Sequence, residues 1–282
     1  MHIGVDLGGT NVRAGLVQKN IIIKVFSSKI ESNGEENIVV NQVINAIQQV
    51  ITAEVESIGV GVPGILNTQT GVIYDVQNIP SWKAVPLKDI LENHFKIPVF
   101  INNDANCFVC GEWYFTEESA TENNLTGLIL GTGVAAGLIC DGKLYEGRNC
   151  GAGEFGMIPY LDHHYEFYCS GNYFKHFHHT DGEILYNLAK NNDKNALAIF
   201  EQFGIHVSTL IKTILFAVDP QTIVFGGSIS KAFPFFESIL WSSLQDFPYK
   251  PVIENIKIKA SKYENIAILG AAALHAQKNS LK

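Results

Sequence analysis

Long hydrophobic runs are missing from this chain. No uninterrupted apolar stretch approaches the roughly 20 residues a membrane-spanning helix requires, although 46% of the 282 residues are hydrophobic. Basic charge is also scarce: 20 Lys and Arg stand against 28 Asp and Glu, a formal net charge of −8. Nucleic-acid binders present a basic face, so this balance argues against such a partner. Cysteines number only five, an odd count without regular spacing. No disulfide framework follows, and a reducing, cytoplasmic setting is expected. Cys107-Phe-Val-Cys110 has redox-motif spacing, but on a helix positions three apart share a face, and ordinary packing is the expectation. A strand begins at once in Met1-His2-Ile3-Gly4-Val5, so no cleaved leader is expected. Low-complexity linkers are absent too. The length suggests two domains, and their boundary must fall inside structured chain.

What the chain does have is a repeated device. Gly9 to Val17 reads G-T-N-V-R-A-G-L-V and Gly131 to Ile139 reads G-T-G-V-A-A-G-L-I, identical at six of nine positions. Each copy follows a short apolar run and continues as a strand. A strand, glycine turn, strand unit used twice suggests two related halves facing each other across a cleft. Glycine turns let backbone N–H groups approach phosphate closely, so a nucleotide held from both sides is expected.

Periodicity places strands at 3–7, 12–18 and 21–27, a helix over 38–51, and an apolar strand over 58–62 that stops at Pro63-Gly64. A helix at 87–95, a strand at 99–102 and a helix at 105–114 follow, then a polar surface loop over 117–124. The second half opens with strands at 126–130 and 134–140 and a glycine-punctuated turn over 151–156. Helices follow near 170–178, 182–190 and 194–217, then a strand at 222–225 ending in Gly226-Gly227. A helix near 235–245, a strand near 255–260 and a helix over 265–278 finish the chain. Strands alternating with helices make the class α/β.

The first turn, Asp6-Leu-Gly-Gly-Thr-Asn-Val-Arg13, is neither a Walker loop nor a Rossmann fingerprint, because no Gly-Lys-Ser/Thr occurs and a strand follows. Gly8 and Gly9 can take positive φ and expose donors, and Thr10 adds a hydroxyl. Asp6 offers a hard oxygen ligand for hydrated Mg²⁺, and Arg13 a planar cation for phosphate. Asp104, between a strand and a helix, suits an N-cap on position alone. Glu154, framed by Gly151, Gly153 and Gly156, is poorly explained by packing.

Asp-x-Gly-Gly-Thr-x-x-Arg followed by Leu130-Gly131-Thr132-Gly133 resembles the ROK family of sugar kinases and sugar-responsive repressors, within the actin-like ATPase superfamily. The resemblance runs end to end through Gly61-Val-Pro-Gly64, Asn78-Ile-Pro-Ser-Trp82, Asn103-Asp104-Ala-Asn106, Gly153-Glu154-Phe-Gly156 and Gly226-Gly227. Ala135 and Ala136 stand where the family commonly has glycine. The resemblance implies a two-lobed fold with a cleft: residues 1–104 plus 265–282 as the smaller lobe and 105–264 as the larger. It implies ATP phosphates at Asp6, Gly8, Gly9, Thr10, Asn11 and Arg13 and at Gly131, Thr132 and Gly133, with adenosine by Gly226 and Gly227. Asp104 becomes the general base for a sugar hydroxyl, most simply the 6-OH of a hexose. Gly64, Asn78, Asn103, Glu154 and Glu166 become sugar ligands, Glu166 through Glu-x-x-x-Ser170-Gly171, with Trp82 nearby. ATP and Mg²⁺ are the implied cofactors, and a homodimer is the family habit.

The pattern breaks after Gly156. Family members carry Gly-His and then a cysteine-rich loop that binds structural zinc; here Met157 follows Gly156, and only eight residues separate it from Glu166. Cys169 alone cannot build a Cys₃His site, so structural zinc is not expected. His163, His164, His176, His178 and His179 lie nearby; surface or interface roles are expected over a replacement metal site. The rival functions are a repressor, which would carry a helix-turn-helix ahead of Asp6, a non-catalytic sugar-binding protein, and a kinase for N-acetylmannosamine, N-acetylglucosamine, allose or fructose instead of glucose.

Overall fold

A computed structural model of the chain describes residues 1–116 and 122–279. It is a mixed α/β protein. Strands β1 (His2–Leu7), β2 (Asn11–Gln18) and β3 (Ile21–Lys29) form the expected meander, and α1 (Glu36–Gln48) and β4 (Ser57–Val62) follow. Three short strands, β5 (Ile65–Asn67), β6 (Val72–Tyr74) and β7 (Ala84–Val85), make a small antiparallel sheet. Next come α2 (Leu87–Phe95), β8 (Val99–Asn103) and α3 (Asp104–Tyr114). The later part runs β9 (Leu125–Leu130), β10 (Val134–Cys140), β11 (Lys143–Leu144), the small hairpin β12 (Pro159–Tyr160) and β13 (His163–His164), then α4 (Tyr165–Cys169), α5 (Gly171–His178), α6 (Gly182–Lys190) and α7 (Lys194–Val218). It ends with β14 (Thr222–Gly226), α8 (Phe233–Leu244), α9 (Lys250–Asn255), β15 (Lys257–Ala260) and α10 (Ile266–Asn279).

The chain divides into two units. The first comprises Met1–Thr121, Gly137–Ala152 and Tyr263–Lys282, and the second Glu122–Ala136 and Gly153–Lys262. In the first, the sheet order is β3-β2-β1-β4-β8, with β1, β4 and β8 parallel. Every residue of β4 is buried, as a central parallel strand requires. The core between sheet and helices is aliphatic, with Val39, Val43 and Ile47 of α1 packed against Ile3, Val5, Ile58 and Val60. Trp82 belongs to this core and is fully buried, its indole N–H donating to the Glu36 carbonyl at 3.4 Å. The second sheet has the order β11-β10-β9-β14-β15. In the second unit the core is aromatic: Phe174, Phe200, Phe203, Phe225 and Phe236 are all buried. Asp193 caps α7 by accepting from Ala196 N–H at 2.8 Å, and Asp219 ends it in the left-handed conformation just before Pro220.

The division differs from the expected one. Helix α3 and the segment Gly137–Ala152 belong with the first unit, because backbone meets backbone there. A Cβ on Gly270 of α10 would lie 1.7 Å from the Cys107 carbonyl oxygen, and one on Gly111 would lie 2.2 Å from that of Ile266. A Cβ on Gly137 would lie 2.4 Å from the Ala105 carbonyl oxygen. Part of the expected polar loop, residues 117–121, lies outside the described residues. Glu122, within the same expected loop, is buried instead, and Lys257 pairs with its carboxylate at 2.7 Å. Cys107 and Cys110 are buried free thiols of α3, and burial pushes the Cys107 thiol well above its ordinary range. They are packing residues.

Gly270→Ala should therefore destabilise the protein, although alanine is favoured over glycine in a helix by about 1 kcal/mol. The clash outweighs that preference, and a net loss of at least about 2 kcal/mol is expected from urea unfolding. Gly8→Ala is the contrast: its Cβ would meet nothing closer than 3.7 Å. Equal stability of Gly270→Ala and the parent would refute the close crossing.

Candidate active site

In the first unit the predicted residues collect at the C-terminal ends of three parallel strands. Asp6 pairs in register with Gly61, Gly61 with Asn102, and Val62 with Asn103. Strand ends of this kind are where open α/β sheets bind ligands. The helix cap falls on Asn103, one residue before the position expected from sequence. Its Oδ1 accepts from Ala105 N–H at 2.9 Å, and its Nδ2 donates to the Gly64 carbonyl at 3.1 Å. Asp104 is thereby the first residue of α3, half-buried, with Oδ1 accepting from Ala105 N–H at 2.9 Å. Gly61 is required beneath it: a Cβ there would sit 3.0 Å from Cys107 Sγ and 3.5 Å from the Asp104 Cα.

A buried polar network supports this pair. Asn102 Oδ1 accepts from Asn103 N–H at 2.8 Å, from Asn106 Nδ2 at 2.9 Å and from the Cys150 thiol at 3.3 Å. Asn102 Nδ2 donates to Glu146, whose other oxygen accepts from the Thr68 hydroxyl at 3.2 Å. Cys150 holds a left-handed backbone, φ 55°, which non-glycine residues adopt only when their surroundings impose it. The motif named Asn103 and Asp104; the role of Asn102, Glu146 and Cys150 depends on contacts between segments more than 40 residues apart in sequence.

The first glycine turn is tighter than expected. Neither Gly8 nor Gly9 has positive φ. Gly8 N–H donates to the Asn11 carbonyl at 2.9 Å, which closes the β1–β2 hairpin. Glycine is needed at position 9 for another reason: a Cβ there would lie 2.7 Å from the Asn78 Cβ. Asn78 thus reaches the turn, while Trp82 of the same motif stays in the core. Arg13 forms an ion pair with Asp6 and donates to Asn265 Oδ1 at 3.2 Å. Its guanidinium thereby orients the Asp6 carboxylate.

In the second unit the second glycine turn, Gly226-Gly227 and the two glutamates come together. Gly131 N–H donates to the Gly133 carbonyl at 3.0 Å. Gly227 has φ 80°, and a Cβ there would lie 2.3 Å from the Leu130 carbonyl oxygen. Strands β9 and β14 therefore end side by side, with Gly226 opposite Ile129. Beyond them opens a cavity of about 730 Å³, lined by Gly131, Thr132, Lys175, Tyr186, Ser228 and Lys231 among others. Its size and mixed lining suit a nucleoside. Of the residues named from sequence, Gly131 and Thr132 line it; Lys175, Tyr186, Ser228 and Lys231 come from helices and turns with no local signature. Glu154 follows Gly153, whose φ is 92° and whose Cβ would strike the Ala136 carbonyl oxygen at 2.1 Å. Desolvation first, and then the charge of Glu166, push the Glu154 carboxyl above its usual range. Glu166 itself accepts from Val134 N–H at 2.9 Å.

The ROK family model matches residues 2–278. The chain belongs to the ROK family. It is 28% identical to a glucokinase of Thermotoga maritima, over 96% of this chain and 96% of that protein. It is 30% identical to an N-acetyl-D-glucosamine kinase of Yersinia pseudotuberculosis, over 98% of this chain and 99% of that one. The solved structure of a ROK family glucokinase from Streptomyces griseus, in complex with glucose and AMPPNP, superposes with a TM-score of 0.85 at 23% identity, covering 97% of this chain and 98% of that one. The fold is accordingly the actin-like ATPase fold of the ROK sugar kinases.

The segment in which this ROK protein departs from its family's pattern is built from rings. Tyr160 stacks on Tyr165 at 4.5 Å and approaches His206, whose Nδ1 lies 3.1 Å from the tyrosine hydroxyl. His163 stacks on Phe167 at 4.0 Å, His176 meets Phe167 at 4.8 Å, and His178 meets Tyr173 at 5.2 Å. Among the described residues no three His, Cys, Asp or Glu side chains are grouped to hold a metal ion. Among the same residues no helix is long and apolar enough to cross a membrane.

Because Glu166 raises the Glu154 carboxyl, Glu166→Gln should let it ionise at lower pH. A ¹³C-carboxyl NMR titration of both proteins reads the shift directly. An unchanged Glu154 titration would remove Glu166 as its electrostatic neighbour.

Proposed function

We propose that this ROK family member, an ATP-dependent sugar kinase, phosphorylates a hexose or hexosamine hydroxyl, most simply the 6-OH. The observation that carries the reading is the Asn103–Asp104 pair. Asn103 is fixed to the helix backbone and to Gly64, so its neighbour Asp104 presents a carboxylate from a rigid helix start. That is what a general base needs: a proton acceptor held in one place. Asp104 takes the proton of the acceptor hydroxyl as that oxygen attacks the γ-phosphorus, and the bond to the departing ADP oxygen breaks. Gly64, Asn78, Asn103, Glu154 and Glu166 are the proposed ligands of the sugar hydroxyls; carboxylates and carboxamides are the acceptors that hydroxyl donors need.

The nucleotide is assigned to the glycine turns. Thr10 and Asn11 with Gly8 and Gly9, and Thr132 with Gly131 and Gly133, are the proposed phosphate contacts, and Gly226-Gly227, which lead into Ser228 of the cavity lining, are the proposed neighbours of the nucleoside. Asp6, oriented by Arg13, is the residue proposed to hold Mg²⁺ through water, a fit with the hard oxygen ligands that ion prefers. Mg²⁺, when bound, neutralises charge on the phosphates. The similarity to a glucokinase and to an N-acetyl-D-glucosamine kinase supports both glucose and N-acetylglucosamine as candidate acceptors.

ADP release with ATP and Mg²⁺ should be measured across glucose, mannose, allose, fructose, N-acetylglucosamine and N-acetylmannosamine. Strong turnover with one sugar is expected, and silence across the panel would overturn the reading. Asp104→Ala should lower kcat on that sugar by at least about 10²-fold, the scale of a lost general base. Near-normal turnover in the variant would move the base elsewhere.

A further inference from the structure

The geometry points to Glu166 as the positioning residue of the second phosphate turn. This role rests on the assignment of that turn to ATP and goes beyond a contact with sugar. Three observations carry it. Val134 N–H, at the end of the turn, donates to Glu166 Oε2 at 2.9 Å. A Cβ on Gly133 would lie 2.5 Å from the same oxygen and 3.1 Å from the carboxyl carbon, so the carboxylate rests directly on the turn backbone. At the other end of the turn, Gly171 N–H donates to the Gly131 carbonyl at 2.8 Å. Glu166 and Gly171 thus grip Gly131–Val134 at both ends.

The grip is itself anchored. Ser170 is fully buried and caps α5 by accepting from Asn172 N–H at 3.2 Å, which fixes Gly171. Beside Glu166, Tyr165 places its hydroxyl 2.8 Å from Thr213 Oγ1 on α7. The spacing Glu-x-x-x-Ser-Gly therefore matches the length of the turn it spans: one α4 turn carries the carboxylate, and the cap carries the amide. A hydrogen bond to a charged acceptor is about twice as strong as a neutral one. Removing Glu166 leaves the Val134 amide without this acceptor and opens space over Gly133.

The test separates this role from sugar contact alone. The dissociation constant for ADP is measured by calorimetry without sugar, for the parent, Glu166→Gln, Glu166→Asp and Glu166→Ala. Glutamine keeps an acceptor at the same reach; aspartate keeps the charge but falls one methylene short. Glu166→Ala and Glu166→Asp should each weaken ADP by about tenfold, and Glu166→Gln by less. In parallel, hydrogen exchange at the Val134 amide should accelerate in Glu166→Ala and Glu166→Asp but not in Glu166→Gln. Unchanged exchange, or unchanged ADP affinity with only the sugar KM raised, would overturn the proposal. If the parent binds no ADP, the nucleotide assignment falls, while the exchange experiment still decides whether Glu166 holds the turn. Should Glu166→Ala fail to fold, Glu166→Asp carries the same comparison.

Discussion

The close approach of α10 to the first sheet and to α3 is the constraint on which the first unit depends. A Cβ on Gly4 would lie 1.8 Å from the Ile268 carbonyl oxygen, and one on Gly59 would lie 1.8 Å from that of Ala271. Gly4 and Gly59 are register partners on β1 and β4. The helix therefore lies directly on strand backbone, and on its other side Gly270 and Gly111 bring it equally close to α3. Side-chain packing tolerates small slides, because rotamers adjust; backbone in contact with backbone leaves little room to move. The first residue of α3 is Asp104, so the same four glycines that seat α10 also fix where the proposed base stands.

The two copies of the repeat show how one sequence pattern meets two environments. In each, the first glycine and the threonine make a turn. In the first copy Gly9 is kept small by Asn78, and Asp6 is held by Arg13. In the second, Gly133 is kept small by Glu166. The second shared glycine has a different duty in both copies: Gly15 packs against the Ile268 side chain, and Gly137 against the Ala105 carbonyl. The pattern G-T-x-V-x-A-G thus encodes a turn and, six residues on, a notch in the strand where a helix can dock. The first duty was legible from the sequence. The second was not, because a notch has meaning only once its helix is known.

Much of the fold was readable because periodicity is local. Strands β1 to β4 and helices α2 and α7 stand within a few residues of their expected bounds, and Asp219-Pro220 ends α7 where proline predicted. The failures share one cause, contacts distant in sequence. Glu122 reads as a surface residue because its partner Lys257 lies far down the chain. Helix α4 is one short turn among aromatic residues, with too few residues to show a period. On position alone Asp104 suits a cap, since aspartate caps well; Asn103 takes that place because its carboxamide can accept from the helix and donate to Gly64 at once, which a carboxylate cannot do.

That difference between amide and carboxylate shows in each unit by itself. Where a side chain must both give and accept, the chain uses asparagine: Asn102, Asn103 and Asn106 form a run of dual-purpose groups around the start of α3. Where acceptance is enough, the first unit uses Asp104 and Glu146, and the second unit uses Glu154 and Glu166. Carboxylates placed near one another resist ionising, and Glu154 feels both desolvation and Glu166. Donors relieve this cost. Val134 N–H already serves Glu166, whereas sugar hydroxyls would supply the donors for Glu154. In the second unit the proposed sugar ligands Glu154 and Glu166 are both acceptors, and a polyhydroxylated sugar, rich in neutral donors, has the matching chemistry.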